Sequence, residues 1–213
     1  MTPGSPRGLL LALVLVPWLG ACDSSAPSYG VRAGAAFTFA YEHGPAAADD
    51  GPDGSPTATF RVEPGAGGAS GYGVWTVSDH DPAVGLSALR SRFALPLSDA
   101  PFLVRDAGIY TYARTTCDLY SGGSRVMEQL RVPFGTTSQV RVKRGCAGTS
   151  TETYTVTRDV PVSVPAGTFA TVRLDRADGR AREFWSPEVG LVRLDALDGE
   201  GGVRASLVLA RAD

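Results

Sequence analysis

From Phe37 onward, apolar and polar residues alternate with a period of two along most of the chain. That is the pattern of strands that bury one face. Phe37, Phe39 and Tyr41 alternate with small or polar residues, and Ala58, Phe60 and Val62 with Thr57, Thr59, Arg61 and Glu63. Ile109, Thr111 and Ala113 oppose Tyr110, Tyr112 and Arg114; Val140 and Val142 oppose Gln139, Arg141 and Lys143. Val160, Val162 and Val164 alternate with Pro161 and Ser163, and Val203, Ala205, Leu207 and Leu209 close the chain. One stretch reads two ways. Leu89, Ser91, Phe93, Leu95 and Leu97 share a strand face, whereas Val84, Leu86, Leu89 and Phe93 stand at helical spacing.

The connections carry turn chemistry. Val164-Pro165-Ala166-Gly167 places Pro second and Gly fourth in a type I turn. Ala177-Asp178-Gly179-Arg180 contains a two-residue Asp-Gly hairpin, and Asp198-Gly199-Glu200-Gly201-Gly202 is a longer link. These predict an antiparallel meander over 168–177, 180–186, 190–197 and 202–210. Segments 43–56 and 64–71 are rich in Gly, Pro, Ala and acids and read as mobile loops. The expected fold is all-β: an antiparallel curved sheet or partly open barrel, one domain over 31–213, with at most one or two short helices.

The first residues follow another pattern. Arg7 is the only charge before an apolar run from Leu9 to Val16, followed by Pro17 and small residues. This is the layout of a secretory signal peptide, and it is too short to span a bilayer core, which needs roughly 20 residues. Its end, Leu19-Gly20-Ala21-Cys22, resembles a bacterial lipobox. The resemblance implies removal of residues 1–21, lipidation of Cys22, and a tether over 22–30. The alternative is an ordinary secreted protein with an incidental cysteine. Two or three acyl chains give stable membrane attachment, so the membrane is the first expected partner, through the lipid. Asp23 resembles an enterobacterial inner-membrane retention signal, a rule that differs between phyla, which leaves inner and outer membrane both open.

Charge and cysteine usage narrow the classes further. The 213 residues hold 20 basic and 22 acidic side chains. Loss of Arg7 leaves 19 against 22, with no Lys/Arg cluster, which excludes nucleic acid as a partner. Beyond Cys22 there are two cysteines, Cys117 and Cys146. In an oxidising compartment an even pair reads as a disulfide, closing a loop of about 30 residues worth ~3–4 kcal/mol. Two free thiols or a redox pair are the alternative, although no Cys-x-x-Cys spacing is present.

Val164-Pro165-Ala166-Gly167-Thr168-Phe169, followed by Phe184-Trp185-Ser186-Pro187-Glu188-Val189-Gly190-Leu191-Val192, is similar to the TapB-like group of uncharacterised bacterial envelope domains. The resemblance covers 153–210. Glu188 stands where that family commonly has Gly, and the final strand lacks its usual Ser-Tyr ending. The resemblance implies a curved antiparallel sheet or partial barrel facing the periplasm, and it brings no established catalytic residue.

Candidate chemistry is sparse. The two histidines are His43, in a Gly/Pro/Asp loop, and His80, within Ser78-Asp79-His80-Asp81-Pro82. Neighbouring strand residues point to opposite faces, and no second metal motif accompanies either histidine. Asp49, Asp50 and Asp53 lack EF-hand spacing. There is no nucleophile elbow or P-loop, and a pair such as Glu183 with Glu188 is one arbitrary choice among the acids. No catalytic residue, metal or cofactor is expected, and the chain is read as a non-enzyme. The aromatic residues Tyr110, Tyr112, Phe184 and Trp185 are the candidate ligand-binding set. On a concave sheet they would line an apolar pocket; packed together they would be core. Two functions follow. One is a non-catalytic binding module for an apolar ligand, such as a lipid or acyl chain. The other is a structural or interaction module that contacts another envelope protein.

Overall fold

The computed structural model describes residues 34–45, 56–64, 73–80, 102–105, 107–114, 126–144 and 150–213. Within them lie twelve strands: β1 (Ala36–His43), β2 (Thr57–Pro64), β3 (Gly73–His80), β4 (Phe102–Arg105), β5 (Gly108–Arg114), β6 (Val126–Pro133), β7 (Gln139–Arg144), β8 (Ser150–Val164), β9 (Gly167–Arg176), β10 (Ala181–Ser186), β11 (Gly190–Leu197) and β12 (Val203–Ala212). They make one sheet, in the order β6-β5-β4-β3-β2-β1-β12-β11-β10-β9-β8-β7. The pairings are antiparallel. The sheet is thus two meanders, β1–β6 and β7–β12, joined where the first and last strands pair, from Phe37↔Ala212 to His43↔Ala205.

This order dictates the curvature. Laid flat, the outer strands β6 and β7 would stand eleven strand spacings apart, about 50 Å. Only residues 134–138 connect them, and five residues reach at most about 18 Å. The sheet therefore curls until its two edges come together. It remains an open curved sheet, with no ladder between β6 and β7 among the described residues.

The concave face holds the core. Phe37, Phe39, Tyr41, Ala58, Phe60, Val62, Ile109, Val132, Val140, Val142, Tyr154, Leu174, Trp185, Leu191, Leu194, Leu207 and Leu209 belong to one continuous buried cluster. Each large member contributes about 1.5–3 kcal/mol through burial. Val162, Phe184 and Val192 form a smaller cluster of their own, on the convex face.

Of the six register shifts in the described ladders, three bear on the faces reached by Tyr154, Val192 and Arg131. In β8, Arg158 and Asp159 together oppose Val172, because pairing passes from Thr157↔Arg173 to Val160↔Thr171. Asp159 takes a left-handed φ of 53° to make the kink. Tyr154 and Val156 thus point inward, while Val162 points outward. In β11, Val192 is the extra residue between Phe184↔Arg193 and Trp185↔Leu191. In β6, Arg131 is the extra residue between Ile109↔Val132 and Tyr110↔Leu130.

The all-β expectation is met, and the C-terminal meander lies within about two residues of its predicted bounds. β1, β2, β5, β7 and the second half of β8 also match the alternation. β3, β4, β6 and the first half of β8 had no counterpart in the sequence pattern. Cys22, Cys117, Cys146, the signal and tether segments, and the ambiguous 84–97 stretch lie outside the described residues. So does most of the two predicted loops.

Candidate functional site

The most polar feature of the core sits where β6 lies across the interior from β10. Arg131 and Glu183 are 1% and 3% exposed. A strict period of two would group Leu130 with Val132 and turn Arg131 the other way. The bulge instead aims Arg131 inward beside Val132 and leaves Leu130 half-buried. Arg131 Nη2 donates to both carboxylate oxygens of Glu183, at 2.5 and 2.7 Å. Glu183 Oε2 also accepts the indole N–H of Trp185 at 2.9 Å. Glu183 and Trp185 are two apart on β10 and share its inner face.

Tyr154, from β8, completes the cluster. The Arg131 guanidinium stacks over its ring, 4.6 Å from the centroid. Its hydroxyl donates to Glu152 Oε2 at 2.7 Å. Glu152 in turn lies 3.8 Å from Arg176, whose Nε donates to Asp178 at 2.7 Å in the β9–β10 turn. A polar chain thus runs from the core to the surface. Burial, followed by the Glu183 charge, pushes the Tyr154 phenol up to about 12, against the opposing pull of Arg131. The hydrogen bond from Arg176 holds the Asp178 carboxyl below its usual range. Among the described residues, Arg131 Nε and Nη1 have no hydrogen-bond partner.

Chemically, the carboxylate and the phenol of this group are committed, while two guanidinium nitrogens of Arg131 are left over. Both Glu183 oxygens are taken by donors, and Tyr154 is 1% exposed. β6 and β10 are eight places apart in the sheet order, so the ion pair acts as a clasp holding the curled sheet shut. Sequence reasoning missed Arg131, because a bulge cannot be read from alternation. The available signal was Glu183 set directly before Phe184 and Trp185, a carboxylate in a run that must be half-buried.

On the convex face a second polar array crosses the strands. Asp175 accepts from Arg173 and from Arg182, each at 2.7 Å. Asp195 accepts from Arg193 and from Ser206, each at 2.6 Å. The partners occupy one face of adjacent strands, as cross-strand registry requires.

The four aromatic candidates do not converge. Trp185 is fully buried in the main core. Phe184 points to the opposite face, in the smaller cluster with Val162 and Val192. Tyr110 is half-buried on the face opposite Ile109, with the Arg105 guanidinium 5.1 Å from its ring centroid. Tyr112 lies in β5, but its side chain is outside the described residues. His43 packs edge-on against Tyr41, 5.1 Å between centroids, and His80 ends β3. Glu188 lies exposed in the β10–β11 turn, apart from buried Glu183. Among the described residues, no group of three or more His, Cys, Asp or Glu side chains is placed to hold a metal ion.

No protein-family model matches the chain, and no curated protein matches it. Two solved structures are similar in outline. One is a "putative exported protein with YmcC-like fold" from Bacteroides fragilis, 11% identical, with a TM-score of 0.34, covering 85% of this chain and 96% of that one. The other is a "putative lipoprotein" from Parabacteroides distasonis, 13% identical, with a TM-score of 0.41, covering 86% and 96%. Likeness at that level carries no argument about activity or ligand. The motifs behind the TapB-like resemblance form the β8–β9 turn and the β10–β11 hairpin.

Proposed function

We propose that the chain is a lipid-anchored envelope protein, held at Cys22 and facing the periplasm, whose β domain is a non-catalytic interaction module. The observation that carries this reading is the packing of the described part of the concave face. Where an apolar ligand would lie, Tyr154, Trp185, Phe37, Phe39 and Phe60 are fully buried against one another and their neighbours. The Arg131–Glu183 clasp stands among them. A binding module of the kind expected from the aromatic residues needs an open, apolar-lined cavity. Here Trp185 is committed to the core, with its N–H bound to Glu183. The surface left for recognition is the outside of the sheet and its turns.

Native mass spectrometry of periplasmically expressed 23–213, followed by organic extraction, tests this reading. The expected result is a clean, ligand-free mass. An apolar adduct that returns after stripping and re-addition would overturn it in favour of the ligand-binding module. The anchor is tested separately: Cys22→Ala should abolish incorporation of labelled fatty acid and leave the precursor unprocessed.

A further inference from the structure

The two ends of the β8–β12 meander differ in character. At one end lie the β9–β10 turn, with Asp178 and Arg180, and the β11–β12 link, with Asp198 and Glu200. Both are charged and carry no large apolar side chain. At the other end lie the β8–β9 turn, with exposed Pro165 and half-buried Ala166 and Phe169, and the β10–β11 turn, with half-buried Pro187 and Val189. Val189 and Phe169 pack against the same buried residues, so the two turns form one apolar rim. Glu188 is the only charge in these two turns.

The chain enters the sheet at this apolar end. Ala36 and Asp213 exchange backbone hydrogen bonds there, at 3.2 and 2.9 Å. The β8–β9 turn folds across toward the same place, with the Ala166 N–H donating to the Leu209 carbonyl at 3.1 Å. Leu209 pairs with Phe39, five residues from Gly34, or about 17 Å along an extended strand. Between Gly34 and Cys22 there are only residues 23–33, a tether of at most about 40 Å.

We propose that this rim, Pro165, Ala166 and Phe169 with Pro187 and Val189, is a membrane-contact surface that seats the domain on the leaflet carrying its anchor. The inference rests on the lipid-anchor reading and adds an orientation to it. An apolar rim beside the point of tethering meets the bilayer interface at high local concentration, so shallow insertion needs little affinity of its own. Among the described residues at this end, Arg211 is paired with Asp213 at 2.8 Å, and Arg61 of β2 lies opposite Ala36. The rim residues themselves carry no cation, so the contact they make is expected to be apolar and little affected by salt.

The test uses the lipidated full-length mature chain in phosphatidylethanolamine/phosphatidylglycerol vesicles. An environment-sensitive fluorophore is placed by Ala166→Cys or, as the distal control, Gly179→Cys. The unsubstituted protein, treated alike, gives the background from its own cysteines. The expected result is a blue shift and strong quenching by brominated lipid at position 166, little change at 179, and no loss of either signal in high salt. Phe169→Ser should weaken the quenching at 166 while flotation with the vesicles persists. If the protein floats but position 166 is no more quenched than 179, the contact falls and the rim is left for a protein partner, while the anchor stands. If the protein does not float, anchor and contact fall together.

Discussion

Arg131 and Glu183 meet in a place where neither charge could survive alone. Removing one partner of such a pair strands the other, at a cost of about 3–5 kcal/mol, whereas replacing both by apolar residues of similar size is often close to neutral. Arg131→Met and Glu183→Leu should each lower stability by that amount. The double variant should fall well short of their sum, although Trp185 then loses its acceptor, worth about 1 kcal/mol. Urea denaturation of the four proteins in a double-mutant cycle measures the coupling, and simple additivity would refute the clasp. Tyr154 gives a second readout. The folded chain keeps the phenol proton up to about pH 12, while an ordinary tyrosine releases it near 10.0. The folded state therefore binds more protons across that interval, and stability falls as pH rises. The loss sets in above pH 10, is complete near 12, and amounts to about 2–3 kcal/mol at 1.36 per unit. Tyr154→Phe should flatten the alkaline slope in chemical denaturation without changing stability at neutral pH by a comparable amount.

At the level of the elements, the bulges decide which alternating residue becomes core. Asp159 holds a left-handed φ of 53°, a conformation glycine adopts without strain and a β-branched residue resists. Asp159→Gly should leave stability unchanged or raise it by up to ~1 kcal/mol, and Asp159→Val should lower it by ~1–2 kcal/mol. Thermal unfolding distinguishes these outcomes. Gly108, next to the Arg131 bulge, has φ 146°, and a Cβ there would drive into the Val132 carbonyl. Gly108→Ala should therefore loosen β6 from β5 and with it the clasp. Where period two and turn chemistry agree, the sequence was sufficient: Pro165-Ala166-Gly167 and Asp178-Gly179 bound strands that formed nearly where expected. Where a bulge intervenes, it was not. Val160, Val162 and Val164 were legible as a strand, but their lying on the face opposite Tyr154 depends on two residues of β8 opposing one of β9. Arg131 fails for the same reason. Its inward turn depends on pairing with β5, and no property of residues 130–132 records that.

For the molecule as a whole, the strand order was beyond the sequence's reach. Alternation tells a strand which side to bury but not which neighbour to take, and the β1–β12 pairing joins residues about as far apart as the domain allows. The same pairing makes a prediction. Among the described residues, the β1–β12 ladder is the one strand pairing that joins the two meanders, so deletion of 203–213 should leave two half-sheets, each with a raw edge and an uncovered apolar face. We expect loss of the single cooperative unfolding transition and self-association by sedimentation. A truncated chain that remained monomeric with one sharp transition would contradict the architecture.

The position of β1, flanked by β2 and β12, also bears on time. A chain that emerges with its amino terminus first presents β1 at the outset, yet β1 acquires its second neighbour only when the final strand arrives. Until then the early half is a ribbon with an unfilled groove, and the Arg131–Glu183 clasp cannot close, because Glu183 has not yet appeared. Completion of the sheet thus waits for β12, Val203–Ala212. A polypeptide threaded through a narrow passage in one direction is thereby kept loose until β12 is across.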